Sequence, residues 1–265
     1  MYYTKVLNIH RTEEKGLILP HFFISSNTVA YGIITISGKN DYTHIAKSLR
    51  AKVGENLLLI DENQIQYEVK IEKITSSQIE TKVTASYKSK RGLGFELYLA
   101  QSPLRSDSQT LVVEKATELG VKGLYPVLTD NCALNKEAIN KKIPKWQKTM
   151  LEASKQCERA TVPTCFELTT IPKITANTAS EGAFDRILAF TERKADYTLK
   201  HYMRENPIKA NEKILVIIGP EGGFSAKEFE YFETNNITTL SLGKLILKAE
   251  TAVITAIGNI VYEYE

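Results

Sequence analysis

Cysteine is scarce in this chain and long apolar runs are absent. The three cysteines, Cys132, Cys157 and Cys165, are odd in number, form no CxxC pair and stand beside no histidine cluster. That argues against a disulfide framework or a zinc site and leaves reduced thiols as the expectation. No apolar stretch approaches the roughly 18 to 20 residues of a membrane-crossing helix. Residues 1–16 mix charges with single apolar side chains and lack the apolar core and cleavage site of a secretory signal, so the cytosol is the expected compartment. The common phosphate-binding fingerprints are missing too. A P-loop needs lysine followed by serine or threonine after its second glycine, but Gly243 and Lys244 lead into Leu245. A dinucleotide fingerprint needs GxGxxG between a strand and a helix, but Gly92 and Gly94 precede their strand.

What is present is ordinary for a folded chain in water: 43% hydrophobic and 25% charged residues over 265 positions, enough for one large domain or two. The net charge of +3 is unevenly spread. Residues 1–94 hold 13 of the 34 Lys/Arg and 9 of the 31 Asp/Glu, leaving 21 and 22 for the rest. A mildly basic front half suits a phosphate backbone, although on charge alone a solvated surface is the simpler reading.

Periodicity divides the chain in two. Residues 22–25, 32–36, 56–60, 66–74 and 78–86 read as short strands, several alternating apolar with polar positions. One helix, 41–49, interrupts them, with Ile45, Ala46 and Leu49 on one face. A small β-barrel with one helix is the economical reading. The segment Lys88-Ser-Lys-Arg-Gly-Leu-Gly94 has a linker's composition, and the boundary between domains 21–90 and 91–265 is placed there. Beyond it, strands at 95–100, 123–128, 186–190, 213–218 and 238–242 alternate with helices. One helix carries Leu111, Val112, Lys115, Ala116 and Leu119 behind a Ser106/Gln109 capping box, and another carries Trp146, Met150, Ala153 and Cys157. A third opens at a Ser225/Glu228 box, and the last carries Ala252, Val253, Ala256, Ile257, Ile260 and Val261. Nearly all-apolar strands alternating with helices imply an α/β fold, a parallel sheet covered on both faces, whose ligands sit beyond the carboxyl ends of the strands.

At one such end the strand Ile214-Leu-Val-Ile-Ile218 runs directly into Gly219-Pro-Glu-Gly-Gly-Phe-Ser225. Gly222 and Gly223 permit positive φ and close backbone approach, while Pro220 fixes its own φ and removes a donor. On the residues alone, a ligand loop and a merely tight turn fit equally well.

Four segments carry more: Lys115-Ala-Thr-Glu-Leu-Gly-Val121, Gln156-Cys-Glu-Arg-Ala-Thr-Val-Pro163, Ile218-Gly-Pro-Glu-Gly-Gly-Phe-Ser225 and Leu242-Gly-Lys-Leu-Ile-Leu-Lys-Ala-Glu-Thr-Ala252. In this order they resemble the RsmE family, the bacterial 16S ribosomal RNA uridine-N3 methyltransferases. His21-Phe-Phe23 and His44-Ile-Ala-Lys-Ser-Leu-Arg50 extend the resemblance to about residues 21–265; the first 20 residues lie outside it. The resemblance implies a C-terminal SPOUT-type methyltransferase domain with a trefoil knot behind a PUA-like RNA-binding barrel. It implies S-adenosylmethionine as cofactor, no metal, 16S ribosomal RNA of the small subunit as substrate, and a homodimer with active sites at its interface. The residues leave two alternatives open: methylation of another RNA position, and a non-catalytic RNA-binding or ribosome-assembly factor that keeps the fold.

By the same resemblance, Ile218, Gly219, Pro220, Glu221, Gly222 and Gly223 wrap the cofactor with Leu242, Gly243, Ile246 and Leu247, and Thr251 and Ala252 close the pocket. For Leu242, Ile246 and Leu247, plain core packing fits as well as contact. Lys248 is expected to offset negative charge, Glu250 to orient the uracil, and Arg159 to meet a phosphate or a uracil oxygen with its planar fork. His21, His44, Lys47, Arg50 and Arg105 are the expected RNA contacts. The chain departs from the family's usual pattern at Leu245 and Lys248, where arginine is usual, and at His21, Thr43 and Ser108.

Overall fold

The computed structural model describes residues 21–89, 91–176, 184–195 and 197–265, in two compact units that divide between Tyr87 and Lys88. Residues 1–20, and Lys90 of the basic linker, lie outside the described residues.

The N-terminal unit is built on a six-stranded sheet. Its strands β1 (His21–Phe23), β2 (Val29–Ala30), β3 (Ile33–Ile36), β4 (Asn56–Ile60), β5 (Ile65–Ile74) and β6 (Ile79–Lys88) run in the order β1-β4-β5-β6-β3-β2. β1 pairs parallel with β4; the β4/β5 and β3/β6 ladders are antiparallel. Alternate residues point to one core: Phe22, Ile34, Ile36, Leu57, Leu59, Val69, Ile71 and Ile79 are buried, joined by Ile45 from the helix. That helix departs from the expected face. It begins as α1 (Lys39–Tyr42) and widens into a π-helical stretch, Thr43–Ser48, ending on the bond from Leu49 N–H to the His44 carbonyl. Leu49 is the residue that caps this stretch; it lies outside the buried face and is 43% exposed.

The C-terminal unit holds a seven-stranded sheet made of β7 (Glu96–Gln101), β8 (Gly123–Pro126), β9 (Thr164–Cys165), β10 (Arg186–Phe190), β11 (Tyr197–Thr198), β12 (Lys213–Ile218) and β13 (Thr238–Ser241). The order is β11-β13-β10-β12-β7-β8-β9, and each ladder is parallel. Strands buried on both faces need apolar residues at every position, and the two cores show this. On one face Leu97, Leu99, Ile214, Val216 and Ile218 pack against α2 (Ser106–Glu118), α3 (Lys136–Gln156), α5 (Leu199–Glu205) and α7 (Ala249–Tyr264); on the other, Ala100, Ala189, Leu215 and Ile217 pack against α4 (Ile171–Thr175) and α6 (Ala226–Thr234).

The Ser225/Glu228 box opens α6 with both reciprocal bonds made. At α2 the cap takes another form: Arg105 is the N-cap residue and the Gln109 Oε1 accepts from Leu104 N–H at 2.7 Å, so Gln109 satisfies the chain just before the helix. The side chain of Ser106 lies outside the described residues. The cysteines are free thiols; burial pushes that of Cys165 up to about 12. Among the described residues no His/Cys/Asp/Glu group could hold a metal, and no helix is long and apolar enough to cross a membrane.

The amino ends of β10 and β12 are clamped by Arg186. Its guanidinium pairs with Glu212 and donates to the carbonyls of Asn206 at 2.5 Å and Pro207 at 2.8 Å, with the two charged side chains only 12% and 9% exposed. Removing one partner strands the other's charge in a dry site. Arg186→Ala is therefore expected to lower unfolding stability by about 3–5 kcal/mol in denaturant titration; an unchanged midpoint would deny the clamp its role.

Candidate active site

The carboxyl ends of the central strands meet at one edge. Ile218 stands opposite Gln101, and Ser102 N–H donates to the Ile218 carbonyl at 3.1 Å. The chain leaves β12 through the buried Gly219 and Pro220 into a tight turn closed by Gly223 N–H to the Pro220 carbonyl at 2.9 Å. Gly223 has φ +67°, where a Cβ is penalised. The inner side of the turn is packed as well. A Cβ on Gly219 would sit 3.3 Å from the Phe224 ring, and one on Gly222 would sit 3.1 Å from Cβ of Asn131. Glu221 and Gly222 remain exposed on the outer side.

Residues that the sequence reading passed over hold this turn in place. In the loop after β8, Asn131 Nδ2 donates to the carbonyls of Gly222 at 3.3 Å and Gly223 at 3.1 Å. The Ser225 hydroxyl donates to Asp130 at 2.6 Å, and Asp130 N–H donates to Glu228 at 3.1 Å. The Ser102 and Thr129 hydroxyls are bonded at 2.7 Å. Gln101 is fully buried: its Nε2 donates to the Ser102 carbonyl, and its Oε1 has no partner among the described residues. A buried amide oxygen without a donor costs about 1–3 kcal/mol, so Gln101 offers an acceptor to a bound group. A signal for these residues existed. Gln101-Ser102 and Thr129-Asp130-Asn131 are polar runs directly after apolar strands, at the edge where ligands of parallel sheets sit.

A second loop, residues 242–248, follows β13 and turns at Gly243, φ +133°. Leu242 packs on the core and Leu247 is half-buried, but Ile246 is 63% and Leu245 81% exposed, so core packing does not account for Ile246. Lys248 is the N-cap residue of α7, exposed and without a capping bond. Glu250 lies in the first turn of α7, where the helix dipole favours a carboxylate, and the Ser108 hydroxyl reaches it from α2 at 3.4 Å. Thr251 is exposed, and Ala252 is half-buried against the core. Arg105, exposed, joins the turn through its backbone N–H, which donates to Glu221 at 3.4 Å.

Arg159 is placed elsewhere. Its Nη1 donates to the carbonyls of Thr117 at 2.6 Å and Val121 at 2.9 Å, and burial pulls its pKa below the usual arginine range. It satisfies carbonyls at the C-terminal end of α2, whereas Glu250 meets the first turns of the same helix. One arm of the fork expected for RNA, Nη1, is thus engaged by backbone. Arg159→Ala should cost about 2–3 kcal/mol of stability, read as a lowered denaturation midpoint; a stable variant would return Arg159 to the list of free cations.

In the N-terminal unit, His21 is 5% exposed with its ring against Phe23, centroids 5.2 Å apart, and so is not presented to a phosphate. His44 is half-buried, edge-on to Phe22 at 5.4 Å. Lys47 and Arg50 are exposed.

Residues 92–261 match the RNA methyltransferase domain family and residues 36–84 the RNA methyltransferase PUA domain family. The chain is 28% identical over 245 residues to the ribosomal RNA small subunit methyltransferase E of Rickettsia conorii, covering 90% of this chain and 93% of that protein. It is 23% identical over 226 residues to the Bacillus subtilis protein of the same name, covering 84% and 87%. Solved structures share its fold, two of them with a bound cofactor. One is a Legionella pneumophila protein in complex with the cofactor SAM, with TM-score 0.79, 24% identity and coverage of 92% and 97%. The other is the Neisseria gonorrhoeae ribosomal RNA small subunit methyltransferase E bound to S-adenosyl methionine, with TM-score 0.78, 22% identity and coverage of 93% and 98%. The glycine turn, the second loop and nearly all of α7 fall inside the larger matched segment, and the protein therefore belongs to the RNA methyltransferase family.

Proposed function

We propose that the protein transfers a methyl group from S-adenosylmethionine to N3 of a uridine in 16S ribosomal RNA of the small subunit. The observation that carries the reading is the glycine turn after β12, packed on its inner side, open on its outer side and pinned by Asn131 at the ligand-bearing edge of the sheet. The names of the curated relatives support the substrate class, and the ligand-bound neighbours support the cofactor.

The residues present fit such a donor. Ile218, Gly219, Pro220, Glu221, Gly222 and Gly223 would form one wall. Leu242, Gly243, Ile246 and Leu247 would form the other, closed by Thr251 and Ala252. The unpartnered Gln101 oxygen would accept one of the ligand's donors, and the exposed Ile246 offers apolar surface. The cofactor supplies a methyl group already activated on a sulfonium. The chain's own task is alignment, proton removal and charge balance. The N3 proton would pass to water, and as the N3–carbon bond formed the methyl–sulfonium bond would break with its electron pair staying on sulfur; Lys248 would offset the negative charge on the uracil and Glu250 would orient it. Lys47, Arg50 and Arg105 serve the RNA backbone.

A homodimer and the trefoil knot belong to the same reading. Leu111, one turn along α2 from Ser108, is 39% exposed, as are Leu245, Ile246 and Tyr262 to greater degrees, and apolar side chains of this size gain by burial against a second copy. The cytoplasm, where ribosomes assemble, is the compartment this reading implies. The test is transfer of labelled methyl from the donor to small subunits lacking the modification, with mass spectrometry of the nucleosides. A new N3-methyluridine signal is the expected result; no signal, or one at another position, overturns the assignment.

A further inference from the structure

The longest helix carries a charge pattern that the proposed site does not use. α3 holds six lysines and two glutamates, whereas residues 95–265 as a whole carry 21 basic and 22 acidic residues. Ile139, Trp146, Met150 and Ala153 define its buried face. Lys141, Lys145 and Lys148, spaced four and three residues apart, stand on the opposite face and are exposed. At 1.5 Å per residue they span about 10 Å of helix.

These three ammonium groups are surplus charge. A surface groove of about 780 Å³ between α2 and α3 is lined by Lys145 and Lys148 together with Glu114, Glu118 and Glu152. Those carboxylates are already partnered: Glu114 and Glu118 by Lys115 at 2.8 Å each, and Glu152 by Lys155 at 3.8 Å. Among the described residues no ion pair involves Lys141, Lys145 or Lys148. The position of the helix gives the surplus a direction. Asn131, which grips the glycine turn, is four residues from Asn135, the cap of α3, whose side chain accepts from Ala138 N–H. The helix therefore starts near the rim of the site and leads away from it, with Lys141 about 9 Å along its axis from the cap.

We propose that the outer face of α3 is a track for the RNA phosphate backbone, holding the strand that flanks the target nucleotide through Lys141, Lys145 and Lys148. This rests on the methyltransferase reading above. Phosphate is favoured over a lipid surface because the exposed residues of α3 are charged or polar apart from Pro144, with no aromatic or aliphatic side chain to enter a bilayer. Lysines on a helix face add affinity without reading bases, so the track would tolerate different flanking sequences.

The test compares the wild-type protein with the triple variants Lys141→Gln/Lys145→Gln/Lys148→Gln and Lys141→Arg/Lys145→Arg/Lys148→Arg. Binding to unmodified 16S ribosomal RNA is measured from about 50 to about 200 mM salt, the range over which phosphate contacts dominate the salt response. The glutamine variant should bind roughly tenfold more weakly at the lowest salt, with the log–log salt slope shallower by about 2 to 3. The arginine variant should keep both values, and donor binding should be equal in all three proteins. A glutamine variant with the wild-type slope and affinity overturns the track and leaves the proposed function standing. A wild-type protein that binds donor but no RNA overturns both, and lysine-dependent binding to phosphatidylglycerol vesicles in preference to RNA assigns the stripe to a membrane and overturns the track.

Discussion

Gly223→Val is expected to weaken S-adenosylmethionine binding by roughly 10- to 100-fold. A residue other than glycine in the left-handed region costs on the order of 1–3 kcal/mol, and about 1.4 kcal/mol is a factor of ten in affinity. Gly223 sits at φ +67°, and its carbonyl is one of the two that Asn131 holds. The free variant can relax the turn by giving up its geometry, but the cost returns whenever the donor requires that geometry. Titration calorimetry reads the change, and circular dichroism confirms the fold. An unchanged dissociation constant in a folded Gly223→Val protein would remove the turn from the donor site. Asn131→Ala, which loses both bonds to the turn without straining φ, should weaken donor binding in the same direction by a smaller factor.

Glu250→Gln is expected to lower the methyl-transfer rate by about 100-fold or more, the usual weight of a group that handles a proton or fixes its geometry, with donor affinity little changed. The competing role for this carboxylate is service to the α7 dipole, worth about 0.3–1 kcal/mol, which would appear in the melting temperature and not in the rate. Single-turnover kinetics beside a thermal melt separate the two. A variant with wild-type rate and a slightly lowered melting point would leave Glu250 as a helix-end residue with no part in the reaction. The Ser108 hydroxyl, 3.4 Å from the carboxylate, is placed to hold one of its rotamers, so Ser108→Ala should show a small fraction of the same rate loss.

Much of this architecture was legible residue by residue. The apolar run Ile214 to Ile218 could only be a strand buried on both faces, and it is: Ile214, Val216 and Ile218 face one core, Leu215 and Ile217 the other. Ser225 with Glu228 predicted a capped helix start, and both reciprocal bonds are present. Glycines at the end of a buried strand marked the ligand edge. Less legible was anything that depends on a partner distant in sequence. Nothing local tells Arg159 that the carbonyls of Thr117 and Val121 will lie within 3 Å, nor His21 that its ring will be buried beside Phe23. Side-chain type states what a residue can bind, and the fold decides what stands in reach. The π-helical stretch escaped for a related reason, since one extra residue per turn is too small a change in period to read from a ten-residue helix.

The sequence by itself determined the periodic elements, the order of strands and helices, and the place of the glycine turn at the carboxyl edge of a parallel sheet. These follow from local backbone preference and from the two-sided burial of apolar residues, both of which are written in consecutive positions. Only the tertiary structure decided which polar groups share that edge. It brought Asn131 to Gly222 and Gly223, Asp130 to Ser225, and Ser108 to Glu250, left the Gln101 oxygen without a donor among the described residues, and set Arg159 on the far end of α2. Hydrogen bonds form between groups brought within about 3 Å, and distances across 90 to 140 residues of chain exist only after the sheet has assembled.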